Sequence, residues 1–436
     1  MRATNNQLDA FRYAYLTMAS GCIYYLFGFV GGAYTAEKAG DTVAYQAVWL
    51  VLYLVLIFKL AKLAPIVWPL FLSSGFLIGL ITSAALSLII GEADNAALIK
   101  FGMYLMTIAF AAWLSARKDA VDQIFDSLYW LGIVVLILHI LAYPLGSSIN
   151  WDPLFRPTLL GTEPYAGLFG HKNIAGNFFG IIALVYFAKI LSPLCKNRPS
   201  CFLLFALSVA MVVISGSISS LVGVVLSATL ILFSLVARWE RVIVTLFWMV
   251  ATIIALFLTL LGSSFFFEQI GRSANLTGRG LLWSAGMFFF WQRPLLGYGY
   301  ANFFESPVRA DQLGSMMPYH VMTWSFDNSY LEILLRFGVI GGFFFGVILL
   351  RAIWTSFRFL STQTSTYNVG PLALVFFALT TGLAESFLVL HNYLICVIIF
   401  WAYFGLQPTK QTNSVRVRRV PRRISQLQRA RPNVGA

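Results

Sequence analysis

The chain has 436 residues, of which 59% are hydrophobic and 11% charged, with a mean hydropathy of +0.78. Soluble domains carry roughly a quarter charged residues, so the balance excludes a soluble enzyme and fits a protein embedded in a bilayer. The net charge of +13 falls in short connections and a terminal tail, which argues for membrane topology and not for nucleic-acid binding.

About twenty apolar residues cross a bilayer, and runs of that length recur along the chain. They predict an all-α, polytopic integral membrane protein of about 12 transmembrane helices, over 12–33, 44–63, 67–90, 97–115, 126–145, 173–192, 200–217, 218–237, 242–262, 328–350, 369–387 and 388–406. The stretch 200–237 is divided at Ser215-Gly-Ser-Ile-Ser-Ser220, and 369–406 near His391. A single helix of either length would overshoot the membrane.

Lys and Arg are retained in short cytoplasmic loops. A cytoplasmic N-terminus puts Lys59, Lys62, Arg117, Lys118, Lys189, Lys196, Arg198, Arg238, Arg241, Arg351 and Arg358 on one side, and Glu37, Asp41, Glu92 and Asp94 on the other. The membrane domain is expected over 1–407. The basic tail 408–436, also cytoplasmic, lacks apolar periodicity and is expected to be disordered. An anionic inner leaflet attracts such a segment by about 1 kcal/mol per basic residue, so the lipid bilayer is its expected partner. Cys22, Cys195, Cys201 and Cys396 have no spacing suited to zinc or a disulfide framework. No metal site and no cofactor are expected, and the first apolar run leads into further spans and not into a soluble domain as a cleaved signal would.

Two outer loops, about 146–172 and 263–327, are long, and long loops between compact spans usually carry function. The first contains Trp151, Asp152, Arg156, Glu163 and Tyr165 and ends in Gly170-His-Lys-Asn173. His171 or Asn173 could cap the next helix. Alternatively, Lys172 and the positive helix end attract an anion, with Gly167 and Gly170 allowing close backbone approach.

In the second loop, Thr277 to Arg293 reads as an interfacial aromatic helix stopped before Pro294. Arg279 lies in its first turn, where a cation opposes the helix dipole unless an anion holds it. Leu295-Leu-Gly-Tyr-Gly-Tyr300 follows as a flexible aromatic turn. Trp283, Trp291, Tyr298, Tyr300, Tyr319 and Trp324 suit either an interfacial belt or stacking platforms for sugar rings. Arg156, Lys172, Arg272, Arg279, Arg293 and Arg309 all fall outside, against the positive-inside trend, and a guanidinium fork matches phosphate oxygens.

Ser325 to Gly341 returns the chain to the membrane. Asp327 is placed as a helix cap, and Ser329 with Glu332 has capping-box spacing. The competing reading is a general base: a carboxylate beside an apolar cleft takes a proton from a sugar hydroxyl. Glu385, at the outer end of the eleventh expected span, and His391 in the following turn could reach the same cavity.

The order Gly170-His-Lys-Asn173, Gly278-Arg279 with Trp283, Arg293-Pro-Leu-Leu-Gly-Tyr-Gly299, Asp327-Asn-Ser-Tyr-Leu-Glu332 before Gly338, and Glu385-Ser386 resembles the O-antigen ligase and polysaccharide polymerase family of bacterial envelope proteins. The resemblance covers about 150–405, and its spacing is most similar to that of exopolysaccharide polymerases. It implies an inner-membrane glycosyltransferase with a large periplasmic loop, working without metal or nucleotide sugar. The donor would be a glycan on polyprenyl pyrophosphate and the acceptor a sugar hydroxyl attacking with inversion, with a chain-length regulator as a further partner. Arg279 matches the loop arginine that would hold the pyrophosphate. Asp327-Asn328 stands where relatives often carry His-Asn, and with Glu385 makes the expected catalytic set. Arg156, His171, Lys172, Asn173, Trp283, Arg293, Tyr298 and His391 are the expected substrate contacts. Relatives often place an arginine after serine in the region of Ser215 to Ser220, and this chain has none there. A ligase with a lipid or protein acceptor, and a transporter of lipid-linked sugar or small anions, are the alternatives.

Overall fold

Apolar runs uninterrupted by proline or glycine fold as single helices. The computed structural model describes residues 9–23, 43–91, 93–117, 119–145, 158, 162–236, 279–317, 325–360 and 367–405. Its helices are α1 (Ala10–Ser20), α2 (Val43–Lys62), α3 (Ala64–Leu72), α4 (Gly75–Ile90), α5 (Asn95–Ser115), α6 (Ala120–Ala142), α7 (Lys172–Leu191), α8 (Arg198–Ser215), α9 (Ile218–Val236), α10 (Arg279–Gln292), α11 (Asn302–Glu305), α12 (Pro307–Met316), α13 (Ser329–Leu360), α14 (Gly370–Thr381) and α15 (Leu394–Phe404). No strand occurs among the described residues. The expected span 242–262, Arg156 and the tail 408–436 lie outside them.

The expected twelve crossings are not reached among the described residues. Six helices there are long and apolar enough to span a bilayer, or seven if the bent pair α3 and α4 counts as one. Local chemistry accounts for the differences at three of the expected spans. The expected span 67–90 breaks before Gly75, where α3 and α4 meet at 76°, and α3 itself carries Pro69. The division at Ser215 to Ser220 stands: Gly216 adopts φ 69° and caps α8. The expected spans 369–387 and 388–406 become helices of 12 and 11 residues, joined by a non-helical connection over 382–393 that holds Glu385 and His391.

Central α7 packs on α6, α8, α9 and α14. Small residues set those contacts: Gly176 lies against Ser217, and Gly180 and Gly223 both receive the ring of Phe377. α13 crosses α4, α14 and α15, and α15 lies along α5. Outward faces keep large apolar side chains such as Leu50, Phe58, Trp130, Phe202 and Phe343 exposed, as a lipid-facing surface requires.

The segment 294–299 is built into the break of α13. Gly338 has φ 64° and ψ −169°, and its loss of helical geometry frees backbone groups on both sides. Val339 and Ile340 donate N–H to the carbonyls of Pro294 (2.8 Å) and Leu295 (3.2 Å), while Tyr298 and Gly299 donate to the freed carbonyls of Leu335 (2.7 Å) and Arg336 (3.0 Å). Ser87 of α4 closes the junction by donating to Leu296 O at 2.5 Å. The turn that composition marks as flexible is thus a pinned backbone crossing, in which buried polar groups find partners.

Candidate functional site

α7, α10 and α13 begin at the same end of the bundle, beside the α8–α9 break and the 382–393 connection. The α7 start is capped by His171, whose Nδ1 accepts from Asn173 N–H at 3.2 Å, so the capping reading of that motif holds. Gly167, with φ 56°, makes room for the ring of His139. Tyr165 ties this loop down, its N–H to Ile214 O (3.1 Å) and its hydroxyl to His139 O (3.0 Å).

α13 starts differently from the expected arrangement. Asn328 is the cap, its Oδ1 accepting from the N–H groups of Tyr330 and Leu331 at 3.0 Å. The Ser329–Glu332 capping box does not form. Ser329 points across to the connection, donating its hydroxyl to Glu385 O at 2.6 Å and its N–H to Gly382 O at 2.8 Å. Glu332 is buried, accepts from Phe326 N–H at 3.1 Å and pairs with Arg336. Asp327 is therefore released from capping, and it sits in the left-handed region at φ 48° with its carboxylate accepting from Ser325 at 2.7 Å.

That carboxylate meets Arg279. Arg279 Nε lies 3.4 Å from Asp327 Oδ2 and its Nη2 lies 3.4 Å from Glu385 Oε1. Ser219, in the first turn of α9, donates to Glu385 Oε1 at 3.1 Å, and Asn173 of α7 also bonds to Glu385. Behind them Ser217 bonds with Ser220 (2.8 Å), which donates to Asn177 Oδ1 at 3.1 Å. Three separated segments, around residues 173, 219 and 279, thus converge on the Glu385 carboxylate, and a fourth, at Asp327, joins them through Arg279.

Burial dominates the electrostatics. Glu385 is enclosed, and desolvation pushes its pKa up to about 7 despite Arg279, with Asp327 adding to the rise and Ser219 and Asn173 opposing it. For Arg279 burial works against the charge, but Glu385 and Asp327 outweigh it and hold the guanidinium protonated. Asp327 keeps 37% of its side chain exposed, so the cluster opens to solvent on the Asp327 side.

Trp283 stands one turn beyond Arg279 and donates Nε1–H to Phe326 O at 2.9 Å, fixing the backbone next to Asp327. Lys172 opens α7, partly exposed, directly after the capping His171. Arg293 and Tyr298 are elsewhere: α10 has 14 residues, which at 1.5 Å per residue puts Arg293 about 20 Å from Arg279. There Arg293 and Arg309 flank the Tyr298 ring at 5.3 and 5.2 Å, and Tyr298 donates to Phe289 O at 3.0 Å. His391 joins neither group. Its Nδ1 lies 3.0 Å from the Tyr300 hydroxyl, and burial, with Lys100 and Arg336 nearby, pushes its pKa down to about 3.

Sequence reading missed Ser219, Asn177 and the Glu332–Arg336 pair. Four serines within Ser215 to Ser220 at a helix break were the available signal for the first. Among the described residues no group of three His, Cys, Asp or Glu side chains could hold a metal. A cavity of about 880 Å³ lies at the opposite end, among Lys59, Lys62, Trp113 and Arg117.

No curated protein matches the chain. Residues 203–346 match the family described as O-Antigen ligase, a segment that includes Ser219, Arg279, the 294–299 crossing and Asp327, while His171, Asn173 and Glu385 lie beyond it. Over that segment, about a third of its length, the chain is similar to the O-antigen ligase family.

Proposed function

We propose that this membrane protein transfers glycans from a polyprenyl-pyrophosphate donor to the hydroxyl of an acceptor sugar, as a polysaccharide polymerase of the bacterial inner membrane, with the Arg279 end facing the periplasm. The observation that carries the reading is the bridging of Asp327 and Glu385 by Arg279 where four segments of the bundle meet. A guanidinium shared by two carboxylates can move to a diphosphate, whose oxygens fit its fork better than two separate acids do. The carboxylates it leaves are then free to accept a proton.

In this mechanism the acceptor oxygen attacks the anomeric carbon, the bond to the diphosphate breaks, and its electron pair leaves with the phosphate held by Arg279 and Lys172. The hydroxyl proton passes to a carboxylate of the cluster. Glu385 suits that role, since a pKa near 7 matches the working pH of a general base. Asp327, more exposed, positions the acceptor and keeps Arg279 oriented. Asn173 and Ser219 hold Glu385.

The test incubates the purified protein with a synthetic polyprenyl-pyrophosphate oligosaccharide. A ladder of longer lipid-linked glycans supports the polymerase. Transfer to a lipid or protein acceptor without a ladder identifies a ligase. Unchanged donor that crosses a vesicle bilayer identifies a transporter, and then Asp327→Asn and Glu385→Gln leave the observed activity intact.

A further inference from the structure

At the far end of the bundle, Asp9 precedes α1 and accepts ion pairs from Lys59 (3.2 Å) and Arg117 (2.9 Å). Arg12, on the same helix, donates to Gln123 at 2.7 Å. Lys62 extends over the Phe58 ring at 4.3 Å, and Arg117 over Trp113 at 4.2 Å. Between them lies the open cavity of about 880 Å³, walled by Val55, Phe58, Leu63 and Trp113 and rimmed by Lys59, Lys62 and Arg117. This end is separate from the Arg279 cluster. On α7 Asn173 belongs to that cluster, whereas Lys189, about 24 Å along the helix, pairs with Asp126 at the cavity end.

Two observations say what fills the cavity. One is charge: among the described residues Asp9 is the carboxylate paired within this group, and it stands against Lys59, Arg117, Arg12 and Lys62. Burial would raise its pKa, but Lys59, Arg117 and Arg12 hold it lowered, so it is fully ionised and still outnumbered. Asp126 acts on Arg12 from α6 but is engaged by Lys189 and Tyr367. The other is the apolar approach. Leu50, Leu54, Ile57 and Phe58 form an exposed stripe down α2 that ends at Lys62, a surface for an acyl chain leading to a cationic pocket at headgroup depth.

We propose that this cavity binds the phosphate headgroup of an anionic phospholipid, with Lys62, Lys59 and Arg117 around the phosphate and the acyl chains along the α2 stripe. Lysine and arginine at this depth each favour an anionic headgroup. The pocket's cations also lie over aromatic rings, Lys59 and Arg117 over Trp113 and Lys62 over Phe58.

The experiment titrates delipidated, purified full-length protein in neutral detergent with short-chain phosphatidylglycerol, phosphatidylcholine or inorganic phosphate, reading the unfolding temperature. Phosphatidylglycerol is expected to raise it saturably and phosphatidylcholine is not. Lys62→Glu, which leaves the Asp9 ion pairs intact, should raise the half-saturating phosphatidylglycerol concentration by about tenfold or more. Arg351→Gln, a cation outside the cavity, should leave it unchanged. Equal effects of the two phospholipids, equal responses of the two variants, or saturation by inorganic phosphate alone would each overturn the lipid site. Because the readout is binding, it stands or falls separately from glycosyl transfer.

Discussion

Arg279 and Glu385, 106 positions apart in sequence, are joined by a contact of 3.4 Å. The acid keeps a pKa near 7 because burial outweighs its cationic neighbour. A buried acid so tuned can hold or release a proton with small changes around it, and displacement of Arg279 onto an anionic substrate would be such a change.

If Glu385 accepts the acceptor proton, Glu385→Gln lowers the polymerisation rate by about 10² to 10⁴ while donor binding persists. Arg279→Lys keeps the charge but loses the fork, and is expected to cost about 10² or more. Rates of ladder formation with the synthetic donor measure both. A Glu385→Gln rate within threefold of the native protein would remove it from the chemistry.

The pH profile follows from the same acid. As a base Glu385 must be ionised, so activity should rise as pH increases through about 7 and then level off. Stability moves the other way. A folded-state pKa raised above the ordinary 4.5 contributes stability at low pH that is lost as pH rises from about 4.5 to about 7. Unfolding temperature in detergent across that window, compared with Glu385→Gln, checks the sign; a native curve no steeper than the variant's contradicts it.

Gly338 should tolerate no side chain. Its φ of 64° disfavours any L residue, and a Cβ there meets the Leu295 carbonyl. Gly338→Ala is expected to lose about 1–3 kcal/mol from strain before any loss of the backbone crossing, read as a lower unfolding temperature. Gly346→Ala, on the same helix with open space around it, is the matched control and should be near neutral.

The Glu332–Arg336 pair is buried inside the membrane domain. Removing one partner strands a charge, so Glu332→Ala should destabilise by about 3–5 kcal/mol. Replacing both, as Glu332→Leu with Arg336→Met, should recover most of that loss. A double variant as unstable as the single one would show that Phe326 N–H, which Glu332 accepts, matters more than the pair.

Much of the architecture was legible in the chain because hydrophobic length and proline or glycine breaks are local properties. The long apolar runs match α2, α5, α7 and α8 within a few residues, α6 begins six residues before the expected start at 126, and Ser215 to Ser220 announced its own break. Arg279, Asp327 and Glu385 could be singled out because charge is costly beside an apolar span. Crossing number was less legible, since hydropathy does not distinguish a full span from two short helices meeting at an irregular connection.

What only the tertiary structure decided is partnership. Asn328 and not Asp327 caps α13 because Arg279, held on a different helix, competes for the Asp327 carboxylate. Arg293 and Tyr298 are separated from the Arg279 cluster by the length of α10, a distance fixed by helix geometry once the helix is rigid. The segment 294–299 reads locally as a turn, yet it is a structural crossing because α13 offers freed backbone groups exactly where Gly338 interrupts it. Sequence by itself therefore determined which groups must avoid lipid. The fold determined which of them meet, because those pairings join residues up to hundreds of positions apart.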